Sequence, residues 1–319
     1  MRILIYGAGA LGQALGCLLA AKGHTIHLIL RERFIDPIRS AGLTVSGIFG
    51  DFSAPAENLY LFSQIAQADT SYDYTLITTK SYDTATALKD IAQLEKRAGY
   101  VVSVQNGCGN IEQIEKVFGS RSLGARVITG FEIIHVGSVK ITVSADAIHI
   151  GTSSVGTDQG PATQLAEAIN GAGHPCICVD DIHQSLFAKL LYNCTLNPLG
   201  AILGVHYGAL ADNPETRRIM DKVIDETFAV IKALGGTTPW QDASSYREHF
   251  YSILIPATYH HRPSMLQDLE NNKPTEVESL VGYVGWLGKN HGVATETCDM
   301  LASLVRFKEG KTKEISAEL

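Results

Sequence analysis

Residues 3–12 read ILIYGAGALG, a short apolar run followed directly by the pattern G-x-G-x-x-G. A short run without polar alternation is typical of a strand that is buried on both faces of a parallel sheet. Residues 13–22 have the pattern of a helix that ends at Gly23, and residues 25–30 read TIHLIL, a second strand. Strand, helix and strand in this order predict a right-handed βαβ unit, and such units build parallel sheets with helices on both faces.

The glycine pattern, in this context, is typical of a dinucleotide-binding loop. Glycines permit a tight turn and a close approach of the backbone, and a helix N-terminus offers unpaired N–H groups and a positive dipole end to a pyrophosphate. An ordinary glycine-rich turn is the alternative, but the flanking strand and helix favour the dinucleotide. The sequence therefore predicts a cofactor-binding loop made of Gly7, Ala8, Gly9, Ala10, Leu11 and Gly12.

The end of the second strand indicates which dinucleotide binds. An acidic residue there hydrogen-bonds the ribose of NAD, whereas an arginine accommodates the 2′-phosphate of NADP. Arg31 follows the strand directly, Glu32 comes next, and Arg33 is close. We expect NADP(H), because Arg31 stands first after the strand; the alternative is that both arginines are solvated loop cations.

Two further apolar runs, over residues 74–79 and 100–104, also predict central strands. Lys80 follows the first of them and Asn106 lies just beyond the second. In an open parallel sheet, ligands bind beyond the carboxyl ends of the strands. We therefore expect Lys80 and Asn106 at the same edge of the sheet as the glycine loop and Arg31.

The composition is that of a folded globular protein. Of the 319 residues, 45% are hydrophobic and 18% are charged, which excludes intrinsic disorder. Because single hydrophobic cores stop growing near about 250–300 residues, the length predicts two domains. The formal net charge is −7 and the basic residues form no run, so no nucleic-acid partner is expected.

Six cysteines are too few for a disulfide framework in a chain of this length, and none forms a C-x-x-C pair. A reduced, cytoplasmic setting is therefore expected. The N-terminus has the early arginine and apolar stretch of a secretory signal peptide, but four glycines and Gln13 interrupt it. No segment approaches the roughly 18 uninterrupted apolar residues of a membrane span, so no membrane partner is expected.

The pattern changes from strands to long helices near residue 180. Residues 133–151 alternate in short β-like pieces and predict mixed or antiparallel edge strands; a helix over 162–171 and a strand over 176–179 follow. The sequence therefore predicts an α/β domain over residues 1–180 and an all-helical domain over residues 181–319.

Two helix starts are predicted in the second domain. Asn213 and Pro214 offer an N-cap and a first-turn proline. Residues 275–278 read TEVE, which matches a capping box, and an apolar stripe follows it. Glycines recur every three residues along this stripe and suggest the close approach of another helix or a ligand; they are Gly282, Gly285 and Gly288.

The segment KLLYNCTLNP, residues 189–198, places polar groups along one face of a predicted helix. Lys189, Asn193 and Asn197 are spaced i, i+4, i+8 and are surrounded by apolar residues. A solvated polar stripe is the structural alternative, but the apolar surroundings favour a functional face. Because Pro198 disfavours helical geometry at the preceding residue, Asn197 is expected at a helix end or a kink.

These motifs together resemble the ketopantoate reductase (2-dehydropantoate 2-reductase) family. The resemblance is carried by GAGALG, Lys80, QNGCGNIE, KLLYNCTLNPLGA and PSMLQDLENNKPTEVE, which occur in this order along nearly the whole chain. It implies a Rossmann domain followed by an all-helical domain, with the active site in the cleft between them.

The resemblance also implies roles for individual residues. Lys189 is then the catalytic lysine, Asn193 and Asn197 bind polar groups of the substrate, and Ser264 hydrogen-bonds its carboxylate. Asn106 is expected to contact substrate and cofactor. The remaining cofactor contacts implied are Gly7 to Gly12, Arg31, Lys80 and Gly130.

Glu276 matches the family's glutamate that positions substrate and cofactor near the lysine. Its structural alternative is an acidic residue in the first turn of a capped helix, which is stabilising with no further role. The sequence departs from close relatives at Tyr207, His261 and Gly282, where they carry asparagine. These departures leave reduction of a 2-keto acid better supported than the identity of that acid.

The sequence thus predicts an NADPH-dependent oxidoreductase that converts 2-dehydropantoate to pantoate, a step toward pantothenate. Hydride passes to the keto carbon, and a cation such as Lys189 protonates the oxygen on which negative charge develops. The alternatives are a reductase of another 2-keto acid on the same fold and a non-catalytic NADP(H)-binding redox sensor.

Three further expectations are structural. His260-His261 and the Cys176-x-Cys178 pair supply no second pair at zinc spacing, so no metal is expected. Cys108 is either a redox-sensitive thiol or, as is more common, an inert buried cysteine. Helical second domains of this kind often pair, which suggests a homodimer.

Overall fold

The protein, in a computed structural model, is described over residues 1–54, 58–154 and 156–317. The chain forms two compact units. The first contains residues 1–106 and 110–182, and the second contains residues 107–109 and continues from residue 183. The short segment 107–109 therefore belongs to the second unit, although it directly follows a strand region of the first.

Twelve strands are present in the described part of the first unit. They are β1 (Arg2–Tyr6), β2 (Thr25–Ile29), β3 (Leu43–Gly47), β4 (Phe52–Ala54), β5 (Leu59–Phe62), β6 (Tyr74–Ile77), β7 (Tyr100–Ser103), β8 (Ser122–Arg126), β9 (Thr129–His135), β10 (Ser138–Ser144), β11 (Ile148–Thr152) and β12 (Cys176–Cys178). The helices of this unit are α1 (Ala10–Ala21), α2 (Ile35–Ala41), α3 (Thr84–Ile91), α4 (Asn110–Phe118) and α5 (Gly160–Gly171).

The main sheet has eight strands in the order β12-β11-β8-β7-β6-β1-β2-β5. The six strands from β8 to β5 pair in parallel, and β11 pairs antiparallel to β8. The order of the parallel strands, with a reversal beside β1, is that of the doubly wound dinucleotide-binding fold. The predicted α/β class is confirmed.

The mixed and antiparallel pairing predicted for residues 133–151 is confirmed, but the sheet that most of these strands join was not predicted. The last piece forms β11 at an antiparallel position of the main sheet, as expected. The preceding pieces, β9 and β10, instead join β3 and β4 in a separate four-stranded sheet of order β4-β3-β10-β9. Sequence periodicity identifies strands but carries no information on which distant strand is the partner, so the second sheet was not foreseen.

Strand β1 is buried on both faces, which explains its uninterrupted apolar sequence. Ile3 and Ile5 pack into one core cluster together with Leu15 and Leu18 of α1. Leu4 points to the opposite face and packs into a second cluster with Ile91 of α3. When helices cover both faces of a parallel strand, side chains that point to either face are buried, and apolar residues are needed at successive positions.

The described elements of the second unit are all helical. The helices are α6 (Ile182–Leu203), whose first residue belongs to the first unit, α7 (Tyr207–Asp212), α8 (Pro214–Ala233), α9 (Ala243–His249), α10 (Ile255–Ala257), α11 (Ser264–Glu270), α12 (Val281–His291) and α13 (Glu296–Ala317). The predicted start of α8 is confirmed, because the Asn213 side chain accepts a hydrogen bond of 2.8 Å from the backbone N–H of Glu215. Within the described residues, none of the helices combines the length and the hydropathy that a membrane span requires.

The predicted glycine contact along α12 is confirmed as a helix approach. A Cβ atom at Gly285 would lie 2.0 Å from Oδ1 of Asp299 on α13, and one at Gly288 would lie 2.5 Å from Thr295. Larger residues at these positions would force the two helices apart. The glycines therefore serve packing within the second unit.

The capping-box prediction for residues 275–278 was wrong. Helix α12 begins at Val281, and a short 3₁₀ turn over Val277–Ser279 precedes it. The Thr275 hydroxyl accepts a 3.3 Å bond from the N–H of Val277, but the Glu278 carboxylate is bound by the Arg306 guanidinium at 2.6 Å instead of reaching back to residue 275. Glu278 is thus bound by an arginine 28 residues away in the chain and does not form the local capping bond.

His27 on β2 predicts a pH dependence of stability. It is buried beside Tyr60 and Tyr72, its Nδ1 lies 2.9 Å from the Tyr72 hydroxyl, and burial lowers its pKa to about 4. In the unfolded chain a histidine titrates near pH 6.5. Neutral His27 therefore contributes fully to the free energy of unfolding above that pH, and up to about 3 kcal/mol of this contribution is lost as the pH falls toward 4. In urea unfolding followed by circular dichroism, we expect His27→Gln to lose less stability than the wild type between pH 7 and pH 4.5. Equal losses would contradict this role.

Candidate active site

The carboxyl ends of four neighbouring strands bring the first group of predicted site residues to one edge of the sheet. In the parallel register, Tyr6 pairs with Ile29 and Ile77, and Ile77 pairs with Ser103. The strands β2, β1, β6 and β7 therefore end level with one another. The residues that follow them at this edge are Gly7, Arg31, Lys80 and Asn106.

Each glycine of the loop between β1 and α1 meets a different steric demand. Gly7 has φ +104°, and a Cβ atom there would lie 2.5 Å from Cγ2 of Thr79. A Cβ atom at Gly12 would lie 2.2 Å from the carbonyl oxygen of Gly7. At Gly9, by contrast, no described residue beyond its neighbours in the chain has an atom within 4 Å of the Cβ position. The chain thus needs Gly7 and Gly12 for its own packing and leaves open space above Gly9.

Two side chains hold this loop, and neither was identified from the sequence as doing so. The Gln13 amide donates to the carbonyl of Ala8 at 2.8 Å, and its oxygen accepts a 3.0 Å bond from the N–H of Gly137. The Thr78 hydroxyl donates to the Gly7 carbonyl. Gln13 is buried and joins α1 to the turn between β9 and β10, so the loop is rigidly connected to both sheets.

Arg31 is exposed and extended at the end of β2, immediately before a 3₁₀ turn over Glu32–Phe34. Glu32 and Arg33 are also exposed. The Arg33 guanidinium lies 4.8 Å from the centre of the Phe34 ring, a cation–π contact. The Arg33 guanidinium is therefore held against an aromatic ring of its own turn, a contact that distinguishes it from Arg31.

A buried hydrogen-bond network fixes the loops that follow β6 and β7. The Gln105 amide donates to the Thr84 hydroxyl at 2.9 Å and to the Lys80 carbonyl at 3.3 Å. The Asn110 side chain accepts from Thr84 at 3.0 Å and donates to the carbonyl of Asn106 at 3.1 Å. The backbone carbonyls of Lys80 and Asn106 are thus both held by this network at the sheet edge.

Gly130 occupies a different setting from the other predicted cofactor residues. It lies in β9, four residues past the end of β8, and therefore belongs to the four-stranded sheet. Its carbonyl accepts a 3.3 Å bond from the Thr142 hydroxyl of β10.

The second group of predicted site residues lies on α6. Lys189, Asn193 and Asn197 follow one another at successive turns of this helix, as their spacing predicted. Of the two alternatives expected at Asn197, the helix end is wrong, because α6 continues through Pro198 to Leu203, and a kink stays a prediction. The residues from Cys194 to Ala201 are buried, so packing keeps the helix intact past the proline.

Asn197 is the centre of a side-chain cluster that joins three helices. Its nitrogen donates to Oδ1 of Asn193 at 3.2 Å. Its oxygen accepts a 3.1 Å bond from the Tyr207 hydroxyl of α7 and a 3.4 Å bond from the Ser264 hydroxyl of α11. The structure therefore brings together Asn193, Asn197 and Ser264, three of the residues singled out in the sequence.

Tyr207 was singled out as a departure from relatives near the expected substrate pocket, and the structure places it within this cluster. It is buried at 2% exposure, and its ring packs edge-on against Tyr192 at 5.8 Å and beside His261 at 5.2 Å. Its backbone N–H donates to the His261 carbonyl at 3.1 Å. Burial raises the pKa of Tyr207 well above its usual value, so the hydroxyl stays protonated and can donate. Spacing along the chain gave no signal for this contact, because it joins two different helices.

Glu276 is buried at 7% exposure and lies before the turn that leads into α12. Its backbone carbonyl accepts from the Ser279 hydroxyl at 3.1 Å. Since α12 begins only at Val281, Glu276 is not in the first turn of that helix, and the helix-stabilising alternative for this carboxylate does not hold.

The loop of residues 107–109 packs against the same turn. The N–H of Cys108 donates to the Ser279 carbonyl at 3.2 Å, and a Cβ atom at Gly107 would lie 2.4 Å from that oxygen. Cys108 is buried at 7% exposure. Among the described residues, no group of three or more His, Cys, Asp or Glu side chains is placed to hold a metal ion.

Comparison with known families and proteins gives consistent matches along the chain. Residues 3–154 match the family model described as "Ketopantoate reductase PanE/ApbA", and residues 181–309 match "Ketopantoate reductase PanE/ApbA C terminal". The 2-dehydropantoate 2-reductase of Aquifex aeolicus (strain VF5) is 37% identical over 310 residues, which cover 97% of each chain. The enzyme of the same name from Archaeoglobus fulgidus is 33% identical over 309 residues, covering 97% of this chain and 98% of that one.

Solved structures share the fold over almost the full length. A PanE/ApbA family ketopantoate reductase from Ralstonia eutropha JMP134 superimposes with a TM-score of 0.85 at 27% identity and covers 98% of this chain and 100% of that one. A D-mandelate dehydrogenase, solved with NADH and anilino(oxo)acetate, gives a TM-score of 0.86 at 26% identity with the same coverage.

Proposed function

The chain belongs to the ketopantoate reductase family, and we propose that it reduces 2-dehydropantoate to pantoate with NADPH, with Lys189 as the proton donor. We further propose that the first unit binds the cofactor and the second binds the substrate. Relatives named 2-dehydropantoate 2-reductase, matched over 97% of the chain, support the reaction.

The observation that carries the proposal is the polar face of α6. Lys189 lies one turn from Asn193 on this helix. The Asn193 side chain is hydrogen-bonded to Asn197, and Asn197 is in turn hydrogen-bonded to Ser264. A 2-keto acid offers a carboxylate and a keto oxygen, both of which accept hydrogen bonds. An ammonium, carboxamide nitrogens and a hydroxyl are donors, so this cluster matches the polar groups of such a substrate.

The glycine loop fits a dinucleotide. The open space above Gly9 and the N-terminus of α1 suit a pyrophosphate, while Gly7 and Gly12 keep the backbone of the loop in place. Arg31, Lys80 and Asn106 would hold the rest of the cofactor at the edge of the sheet. When bound, the nicotinamide supplies a hydride.

Lys189 has a defined task in this reaction. As hydride reaches the keto carbon, negative charge develops on the keto oxygen, and an ammonium that hydrogen-bonds this oxygen stabilises it and donates a proton. Asn193 would orient the substrate through its remaining oxygens, and the Ser264 hydroxyl would exchange its 3.4 Å bond to Asn197 for one to the substrate carboxylate. The buried Glu276 would position the reacting groups near the lysine.

A panel of 2-keto acids tests the proposal by steady-state NADPH oxidation. We expect 2-dehydropantoate to give the highest kcat/KM of a set that also contains pyruvate, 2-oxoisovalerate and phenylglyoxylate. A second candidate is reduction of an aryl 2-keto acid, favoured by the structural similarity to D-mandelate dehydrogenase. A higher kcat/KM for phenylglyoxylate would select that candidate. Tight NADPH binding without turnover of any acid would indicate a non-catalytic sensor.

Arg31 predicts the cofactor preference. An exposed guanidinium that binds the 2′-phosphate of NADP makes charge-assisted hydrogen bonds worth about 1.5–3 kcal/mol. We therefore expect Arg31→Ala to raise the Kd of NADPH roughly 10–100-fold and to leave that of NADH within about threefold, as measured by fluorescence titration.

Arg33→Ala is the matched control, because Arg33 is also an exposed arginine and packs on Phe34. It should change the two Kd values little and to the same extent. Equal losses for NADPH and NADH in Arg31→Ala would overturn the assignment of Arg31 to the 2′-phosphate.

A further inference from the structure

The hydrogen bonds around Asn197 have a direction. The Tyr207 hydroxyl donates to the Asn197 oxygen at 3.1 Å, and the Asn197 nitrogen donates to the Asn193 oxygen at 3.2 Å. Ser264 occupies the second acceptor position of the Asn197 oxygen at 3.4 Å. Both carboxamide oxygens therefore face protein donors, and the remaining capacity of each side chain lies on its nitrogen.

We infer that Tyr207 is a positioning residue that fixes the direction of the Asn197 and Asn193 carboxamides, so that this face of α6 presents only hydrogen-bond donors to an anionic keto acid. The inference rests on the proposed function for the identity of the ligand. It concerns a residue that would not itself touch the reacting atoms.

The geometry suits Tyr207 for this task. A carboxamide can rotate by half a turn and exchange its oxygen for its nitrogen, at little cost in shape. Asn197 is 4% exposed, so its carboxamide is shielded from bulk water. Its orientation is therefore set by its hydrogen-bond partners in the protein. Tyr207 is held by packing against Tyr192 and by its backbone bond to His261, so its hydroxyl keeps one position.

The chain of bonds also strengthens the outermost donor. Consecutive hydrogen bonds that run in the same direction polarise one another. Donation from Tyr207 to Asn197 and from Asn197 to Asn193 makes the Asn193 nitrogen a better donor. Asn193 lies one turn from Lys189, so an acceptor bound to both residues would accept one hydrogen bond from the Asn193 nitrogen and one from the Lys189 ammonium.

Tyr207→Phe removes the hydroxyl and keeps the ring. We expect the KM for the keto acid to rise about three- to tenfold, the usual effect of one hydrogen bond, with kcat and the KM for NADPH within about twofold. Tyr192→Phe is the matched control, because its hydroxyl donates to Thr258 at 2.8 Å and not to Asn197. It should change the keto-acid KM by less than about twofold.

A double-mutant cycle shows whether Tyr207 acts through Asn197. In an Asn197→Ala background, Tyr207→Phe should raise the KM no further, because the group that it orients is gone. Additive effects of the two substitutions, or an equal effect of Tyr192→Phe, would overturn the inference.

The polarity itself is tested at Asn193. Asn193→Asp replaces the donor by a carboxylate oxygen, which repels an anion, whereas Asn193→Ala only removes a bond. We therefore expect the KM of the keto acid to rise more in the Asp variant than in the Ala variant. A smaller rise in the Asp variant would show that Asn193 presents its oxygen, which contradicts the inferred direction.

A readout without turnover separates this inference from the proposed function. The side-chain amide NMR signal of Asn197, assigned by its loss in Asn197→Ala, should shift in Tyr207→Phe and stay in place in Tyr192→Phe. An unchanged signal in Tyr207→Phe overturns the inference. If the wild type reduces none of the keto acids, the proposed function fails, and this spectrum still decides the role of Tyr207.

Discussion

Lys189→Ala should lower kcat for the keto acid by roughly 10²–10⁴-fold, the range typical of a lost general acid. In the proposed mechanism, the substitution removes both the proton and the positive charge that would stabilise the developing oxyanion. The Kd of NADPH should change far less, because the glycine loop and Arg31 remain. Steady-state NADPH oxidation and a fluorescence titration of NADPH measure the two quantities separately.

The control for this prediction is Lys232→Ala, which removes an exposed lysine of α8 in the same unit and should leave kcat within about twofold. Small alkylammonium ions in the assay buffer should partly restore turnover to Lys189→Ala, since they can supply the missing proton. Near-normal turnover by Lys189→Ala with NADPH bound would contradict the mechanism.

The parts of the fold that could be predicted from sequence are those decided by neighbouring residues. The strand and helix around the glycine loop follow from local apolar periodicity and from glycine stereochemistry. Lys189, Asn193 and Asn197 share a helix, so their spacing alone placed them on one face.

The parts that were missed depend on contacts between distant residues. Strand β10 pairs with β3, more than ninety residues earlier, so the four-stranded sheet has no local signature. The TEVE motif matched a capping box, but Arg306 binds Glu278 and the helix starts later. Pro198 stays within α6 because the surrounding residues are buried, an effect of tertiary packing that overrides a local preference.

The candidate site shows the same division. Asn193, Asn197 and Ser264 were predicted from the resemblance to a known family. The hydrogen bond from Tyr207 to Asn197 was not, because it depends on how α7 packs against α6. Tyr207 was noticed in the sequence as a departure from relatives. Its contribution to the hydrogen-bond network became visible only with the side chains in place.

Glycine substitutions in the cofactor loop should separate folding from cofactor binding. A Cβ atom at Gly12 would lie 2.2 Å from the Gly7 oxygen and 2.6 Å from the Thr78 hydroxyl, and those two groups are hydrogen-bonded to each other. Neither can yield without moving the loop. We expect Gly12→Ala to destabilise the protein by about 1–3 kcal/mol and to weaken NADPH binding as well.

Gly16→Ala is the matched control within the same helix. A Cβ atom at Gly16 would make ordinary contacts of 3.4–3.6 Å with the side chains of Ile5, Leu28 and Ile26. Because alanine is favoured over glycine in a helix interior by about 0.8–1.0 kcal/mol, Gly16→Ala should leave stability unchanged or slightly raised. A loss as large as that of Gly12→Ala would show that the loop contacts are not the cause.

Gly9→Ala should have the opposite profile to Gly12→Ala. Among the described residues beyond its chain neighbours, none has an atom within 4 Å of the Cβ position at Gly9, so Gly9→Ala should cost the folded protein at most about 1 kcal/mol, the effect of a poorer N-cap. The added methyl group nevertheless takes the space through which a pyrophosphate approaches the backbone, so the Kd of NADPH should rise at least tenfold, about 1.4 kcal/mol. Thermal unfolding and NADPH titration of the three variants measure both effects. Unchanged NADPH affinity in Gly9→Ala would place the pyrophosphate elsewhere, because a dinucleotide bound at this loop in the proposed way would leave no room for the methyl group.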